Sequence, residues 1–356
     1  MRQITKVALG IISAGNVLVG VGYLVCAYSP YFSPVSHPVK ACLGLFFPIF
    51  IILNLCFLLF WLVCKRKYAA IPLLFFALGW GSLRDYCPFG FSREAEEGTV
   101  IKLLTYNVQG FHAEGKEEEN PILQYLSGSD ADIICLQEYR PGYKSSEGEI
   151  KAAMKCYPYC EITHLGGGNG LACFSRFPIL SADPIPYHSL YNGSVLYRLK
   201  IGADTIILVN NHLESNKLDN NDKEKYNKLL SLPEEEKIAS DGKYLLRKLA
   251  DAVSIRAPQA DSVAAAIRRN ESPYLLACGD FNDSPISYAH RIIGKGLTDV
   301  YAKAGRGPGF TYNQNHFYFR IDHLFAGSGF HVLRCKVDRS IKASDHYPVW
   351  CLLEKQ

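Results

Sequence analysis

Ser344-Asp345-His346-Tyr347-Pro348-Val349 stands near the C-terminus and closes a series of polar clusters, each set at an end of an apolar, β-branched run. The earlier members are Thr105-Tyr106-Asn107-Val108, Leu136-Gln137-Glu138, Asn210-Asn211-His212-Leu213-Glu214, Gly279-Asp280-Phe281-Asn282 and Arg320-Ile321-Asp322-His323. Carboxylates and amides are hard oxygen ligands suited to Mg²⁺ or Mn²⁺, and a histidine stabilises or protonates a developing oxyanion. Groups of this kind at strand ends point into one rim. Any one cluster has an ordinary reading, because Asp, Asn and His are common at turns and strand ends. Asp280 and Asn282 alone fit an Asx turn, and Asn107 and Glu138 alone fit polar strand ends. The information lies in the order and spacing of all six.

Working outward, the runs between the clusters predict buried strands over residues 100–106, 132–136, 171–175, 274–278 and 349–353. A hairpin over 195–201 and 205–211 turns at Gly202-Ala203-Asp204. Helices are predicted near 121–126, 149–156 and 260–269, and residues 110–120 form a polar loop. Gly166-Gly167-Gly168-Asn169-Gly170 leads into a strand, whereas a glycine-rich phosphate cradle leads into a helix, so this run reads as a turn. Residues 215–251 are a charged excursion, helix-compatible over 222–230 and 234–249 around Pro233. They read as solvated helices, with a lid over the site as the functional alternative. Short strands with helices between them, lacking strict alternation, give an α+β layered sandwich.

The combination of SDHYPV with GDFN and LQE resembles the endonuclease/exonuclease/phosphatase family of metal-dependent phosphoesterases, over residues 100–353. The resemblance implies a four-layer α/β/β/α sandwich of two mixed sheets, with the site at the rim where the loops converge. It also implies residue roles: Asn107 and Glu138 as first metal ligands, and Asp345 as a further ligand or outer anchor. His346 would meet the phosphate with its imidazole held by Asp322. Asp280 would orient or deprotonate the attacking water, and Asn282 would donate to a phosphoryl oxygen. His212 matches the deoxyribonuclease and sphingomyelinase branches. That histidine, and Gln109 where the abasic-site repair branch carries aspartate, argue against a repair enzyme. His316 and His323 read as structural or rim residues.

Ahead of this domain lie apolar runs over residues 7–27 and 41–64, each long enough to cross a bilayer, and a marginal 16-residue run over 68–83. A second long run directly after the first argues for a retained anchor over a cleaved secretory signal. Residues 1–90 are therefore expected to form two to three transmembrane helices. Residues 91–99 are a linker, and the catalytic domain covers 100–356. Arg2, Lys6 and Lys65-Arg66-Lys67 are the cytoplasmic marks. Two crossings return the chain to the cytoplasm, and a third places the catalytic domain on the extracytoplasmic side, which is the expectation.

The formal net charge of +4 is misleading as an average. Residues 1–90 hold seven Lys and Arg and one acid, so of the 38 basic and 34 acidic residues the remainder holds 31 and 33, a net of −2. A generally basic nucleic-acid coat is excluded, although a local patch is compatible with that total. None of the twelve cysteines has zinc-site spacing. Cys156 and Cys160 are the one candidate pair, and free cysteines are the expectation. The function read from these features is a membrane-anchored phosphodiesterase using Mg²⁺ or Mn²⁺. A nuclease comes first, a phospholipid or phosphoinositide phosphoesterase second, and a noncatalytic membrane-tethered scaffold is the alternative of another class.

Overall fold

The apolar N-terminal runs fold as helices α1 (Arg2–Ala27) and α3 (Phe47–Cys64), with the short α2 (Pro38–Ala41) between them. In the computed structural model, residues 2–112, 120–142, 144–230, 235–314 and 317–356 are described; His316, Pro233 and the middle of the expected acidic loop lie outside them. Two segments, Lys6–Ala27 and Pro38–Cys64, are long and apolar enough to cross a membrane. The polar interruptions of both runs meet inside the helix pair: Asn16 Nδ2 donates to Asn54 Oδ1 at 3.4 Å, and Trp61 Nε1 donates to Asn16 Oδ1 at 2.9 Å. Pairing amides across helices removes the cost of burying them singly in an apolar environment.

The marginal third run is two helices, α4 (Ala70–Leu78) and α5 (Trp80–Tyr86), broken at Gly79. It runs alongside α1 in the same direction, since Phe75 packs on Gly20 and Tyr23 OH donates to Gly79 O at 3.1 Å. Helix α3 runs the opposite way, with Phe50 against Gly22. Three helical segments thus lie side by side, alternating in direction. The start of α1 and Lys65-Arg66-Lys67 lie at one end of the bundle, while Ala27, Phe47 and Tyr86 lie at the other.

Beyond the linker the chain forms two mixed six-stranded sheets. The first has the order β13 (Phe330–Val337), β14 (Val349–Lys355), β1 (Thr99–Asn107), β2 (Ile133–Gln137), β4 (Gly170–Ser175), β3 (Tyr159–His164). The second has the order β5 (Ile179–Pro184), β6 (Gly193–Ile201), β7 (Asp204–His212), β8 (Leu275–Asp280), β12 (Asp322–Ala326), β9 (Thr298–Asp299). Strands β1 and β2, and likewise β7 and β8, pair in parallel, so the site-bearing ends of each pair fall on one side. A two-stranded hairpin, β10 (Tyr312–Gln314) and β11 (Phe317–Phe319), stands apart.

Alternation along the strands builds the layers. Ile101, Leu103, Ile133, Cys135, Leu208 and Cys278 are among the side chains filling the space between the sheets. Outside the first sheet, Leu104, Tyr106 and Ile134 pack with Ile122 and Leu126 of α6 (Pro121–Ser127) and Ile150 of α7 (Glu147–Ala153). Outside the second, Val209, Ala277 and Phe325 pack with Ala260 and Val263 of α9 (Glu235–Arg269) and Ile293 of α10 (Tyr288–Ile293). This is the expected four-layer sandwich. Its remaining helices are α8 (Asn220–Leu230) and α11 (Val300–Ala304). Cys156 and Cys160 are free and exposed.

Helix bundle and sandwich are packed together. Ile286, 2% exposed, enters the cluster formed by Tyr23, Cys26, Phe47 and Phe75 at the bundle end, and Ala250 and Val253 of α9 pack on Ala41 and Cys42. Arg291 Nε donates to Pro30 O at 2.9 Å, and Arg320 donates to the Asp85 carbonyl. The loop that leaves Asp280 thus ends, six residues later, inside the bundle.

Candidate active site

Every expected site residue except Asp345 and His346 is a strand end or lies within two residues of one, and the parallel pairs bring those ends together. Asn107 closes β1. Its Nδ2 donates to Glu138 Oε1 at 3.1 Å and to Asp280 Oδ2 at 3.0 Å, while its Oδ1 accepts from Gln109 N. Glu138 follows β2 directly and is 37% exposed, the open member of the group. His212 closes β7 with Nε2 3.8 Å from both Glu138 Oε1 and Asp280 Oδ2. His346 lies under the rim, its Nδ1 2.8 Å from Asp322 Oδ2 and its Nε2 3.6 Å from Asp280 Oδ2.

The electrostatics follow from this crowding. Burial pushes the Asp280 carboxyl up to about 6, with Asp322 adding to it, against the pull of His346, His212 and the Asn107 amide. Burial works against a charged His346, yet the Asp322 and Asp280 carboxylates outweigh it and hold the imidazole well above its ordinary range. Asp345 is raised by burial, with Glu138 adding to it.

Two site residues sit in left-handed backbone, Glu138 at φ 53° and Asn282 at φ 52°. Such conformations cost roughly 1–3 kcal/mol each and persist where surrounding contacts over-determine them. Asn282 is fixed by its N–H to Asp280 Oδ1 at 2.8 Å and by its Nδ2 to Leu213 O at 3.0 Å, which commits one of its two amide hydrogens. Gly279 is required before Asp280: φ is 123°, and a Cβ there would stand 2.0 Å from Asn211 O of the neighbouring strand. Gly279→Ala is expected to destabilise the domain by about 1–3 kcal/mol and to displace Asp280; an unchanged melting temperature and turnover would contradict this.

Several contributors were given no role by the sequence reading. Gln137 Nε2 donates to Thr105 Oγ1 and Asn210 Oδ1, tying the sheets together beneath the site. Tyr312 packs edge-on to His346 with centroids 5.2 Å apart, and Lys223 of α8 donates to its hydroxyl at 2.8 Å. The excursion therefore packs on the β10–β11 hairpin instead of standing in solvent, and Tyr226 on Phe317 at 4.2 Å reinforces it. Arg256 of α9, 1% exposed, donates to Asp283 Oδ2, Asn216 Oδ1 and Glu214 O, clamping the loops after β7 and β8. His323 is structural, its Nε2 2.9 Å from Asp283 O.

The endonuclease/exonuclease/phosphatase family profile matches residues 104–346, well over half of the chain. The chain belongs to the endonuclease/exonuclease/phosphatase family. As a member it is a metal-dependent hydrolase of phosphate esters. A second profile, described as a domain of unknown function, matches residues 9–86. Among solved structures, a humanized D. rerio TDP2 with 14 mutations is 17% identical and aligns 72% of this chain with 99% of its own at a TM-score of 0.50. A truncated Caenorhabditis elegans TDP2 aligns at 17% identity, 72% and 98% coverage and 0.49, and an endonuclease/exonuclease/phosphatase from Beutenbergia cavernae at 16%, 72% and 72%, and 0.48. At 17% identity the likeness to the first of these speaks to fold alone. No curated protein matches the chain.

The donor set fits a divalent cation. Glu138 and Asp280 meet at the Asn107 amide, Asp345 lies near enough to Glu138 to feel its charge, and Asp322 Oδ1 is buried without a hydrogen-bond partner. Among the described residues, Asp280, Asp322 and His346 form one trio of acidic and histidine groups whose ligand atoms lie within 4.8 Å of one another. The His346–Asp322 hydrogen bond accounts for part of that closeness, while Asn107 and Glu138 adjoin the trio on its open side.

Proposed function

We propose that the protein is a membrane-anchored phosphodiesterase that works with Mg²⁺ or Mn²⁺ held by Glu138, Asn107 and Asp345. The observation that carries this reading is the unbroken run of contacts from Glu138 through Asn107 and Asp280 to His346 and Asp322, among residues up to 239 positions apart in sequence. A divalent cation bound there would supply charge neutralisation at the phosphoryl oxygens and activation of a water. The chain's own groups do the rest. Asp280 orients the attacking water and accepts its proton. His346, kept cationic by Asp322, donates through Nε2 to the phosphoryl group, and the free amide hydrogen of Asn282 adds a second donor. His212 bridges Glu138 and Asp280 and holds the pair in position.

A nucleic acid is the first substrate class in this reading. The second, a phospholipid head group, is favoured by the loop from Asp280 to Ile286: six residues span at most about 20 Å, so the reacting group lies close above the bundle end. The three-pass bundle, with Lys65-Arg66-Lys67 at the end away from the sandwich, supports an extracytoplasmic catalytic domain. Impermeant maleimide should then label Cys156 and Cys160 in intact cells, and labelling only after lysis would reverse the sidedness.

Glu138→Ala tests the metal assignment. The variant is expected to need at least about 10-fold more Mg²⁺ for half-maximal turnover. Wild-type metal dependence would remove Glu138 from the ligand set.

A further inference from the structure

The net of −2 over residues 91–356 conceals an uneven distribution. Between edge strand β13 and α11 lies a groove of about 630 Å³ into which Arg306, Arg334, Lys336 and Arg339 converge. Beside it Asp338 lies 3.9 Å from Lys336 Nζ and already accepts from Tyr125 OH and from the Ser340 N–H and hydroxyl. Arg306 donates its Nε to Gly90 O and lies 5.3 Å from the Phe91 ring; Arg339 lies 5.9 Å from the Tyr347 ring. Neither makes an ion pair among the described residues, and nor does Arg334.

Protection of an edge strand accounts for Arg334 and Lys336, which point outward from β13 on either side of buried Cys335. It does not account for Arg306 and Arg339, which reach the same groove from two other segments. Four basic residues lining one groove can hold a phosphate.

Its position identifies the source of that phosphate. Phe89 pairs with Arg306 in a β-bridge, and it follows by three residues Tyr86, whose ring packs on Phe47 at the bundle end. Three residues span at most about 10 Å, so the groove stands at head-group height above a bilayer crossed by the bundle. Phe89 and Phe91, 73% and 71% exposed, flank the groove where aromatic rings favour the membrane interface. We propose that this groove binds the phosphate of an anionic phospholipid in the leaflet beside the catalytic domain, an accessory site separate from the reaction centre. The proposal rests on the bundle being a membrane anchor.

The test uses the full chain purified in neutral detergent, with dioleoylphosphatidylglycerol and dioleoylphosphatidylcholine titrated separately and bound lipid read by native mass spectrometry. Wild type is expected to prefer the anionic lipid by at least about tenfold, and the triple variant Arg306→Gln, Arg334→Gln, Arg339→Gln to lose the preference at an unchanged melting temperature. Should the triple variant fail to fold, the single charge reversal Arg334→Glu at its exposed position is expected to lower the preference as well. Equal binding of both lipids by wild type, or a preference surviving in the folded variants, would overturn the proposal. So would a single-stranded oligonucleotide that binds wild type and not the variant while the lipids bind equally, because the groove would then be a nucleic-acid track. Release of the chain from membranes by alkaline wash, without detergent, would instead defeat the anchor reading.

Discussion

His346→Ala is expected to lower metal-dependent turnover by about 10²–10⁴-fold with little change in stability. The imidazole is 4% exposed, anchored at Nδ1 by Asp322 and aimed by Nε2 at Asp280, so its only open direction is into the site. Because Asp322 fixes the tautomer and favours the cation, Asp322→Asn should reproduce much of the loss while leaving the ring in place. If His346 were merely a packed core histidine, alanine would open a small cavity and leave the rate per folded molecule near that of wild type. Single-turnover rates at saturating Mg²⁺ on both variants distinguish these outcomes, and a retained rate removes His346 from the chemistry.

Arg256→Ala carries the largest expected loss of stability, about 3–5 kcal/mol, because it strands Asp283 opposite an emptied buried site. The same guanidinium holds Glu214 O and Asn216 Oδ1, so both loops that position His212 and Asp280 lose their common support. The apparent melting temperature should fall on the order of 10 °C. The double variant Arg256→Met, Asp283→Leu should recover a large share of the loss, since it removes both charges together. A double variant as unstable as the single would mean that the clamp acts through the backbone carbonyl, not through the ion pair.

What could be read in the sequence and what could not divide along physical lines. Asn107, Glu138, His212, Asp280 and Asp322 were legible because each polar group interrupts an apolar run at or next to a strand end, where local pattern and function coincide. Arg256 was not: on a helix, one arginine among charged neighbours reads as solvated, and its partners stand 27, 40 and 42 residues away. Lys223 and Tyr312 were hidden for the same reason, being 89 positions apart. Helix α9 continues through Pro258, a residue that ordinarily interrupts the helical hydrogen-bond pattern. In the N-terminal helix bundle, Asn16 and Asn54 looked like blemishes in apolar runs and prove to be each other's partners. The basic groove escaped notice because a summed charge carries no geometry.

The packing of Ile286 and Arg320 against the bundle also bears on how the enzyme should be handled. Arg320 lies two residues before Asp322, so a fragment lacking residues 1–90 would lose a contact next to the group that holds His346. Activity is therefore best measured on the whole chain.

The most direct measurement is turnover by the full-length protein in nanodiscs, with Mg²⁺ or with chelator, on plasmid DNA, single-stranded RNA, sphingomyelin and phosphoinositides in parallel. A metal-dependent phosphodiesterase hydrolyses at least one of these, stops with chelator, recovers with Mg²⁺ or Mn²⁺, and fails as His346→Ala. Hydrolysis undiminished by chelator would contradict the account, and so would a metal-loaded, folded protein inert toward all four, the behaviour of a membrane-tethered scaffold.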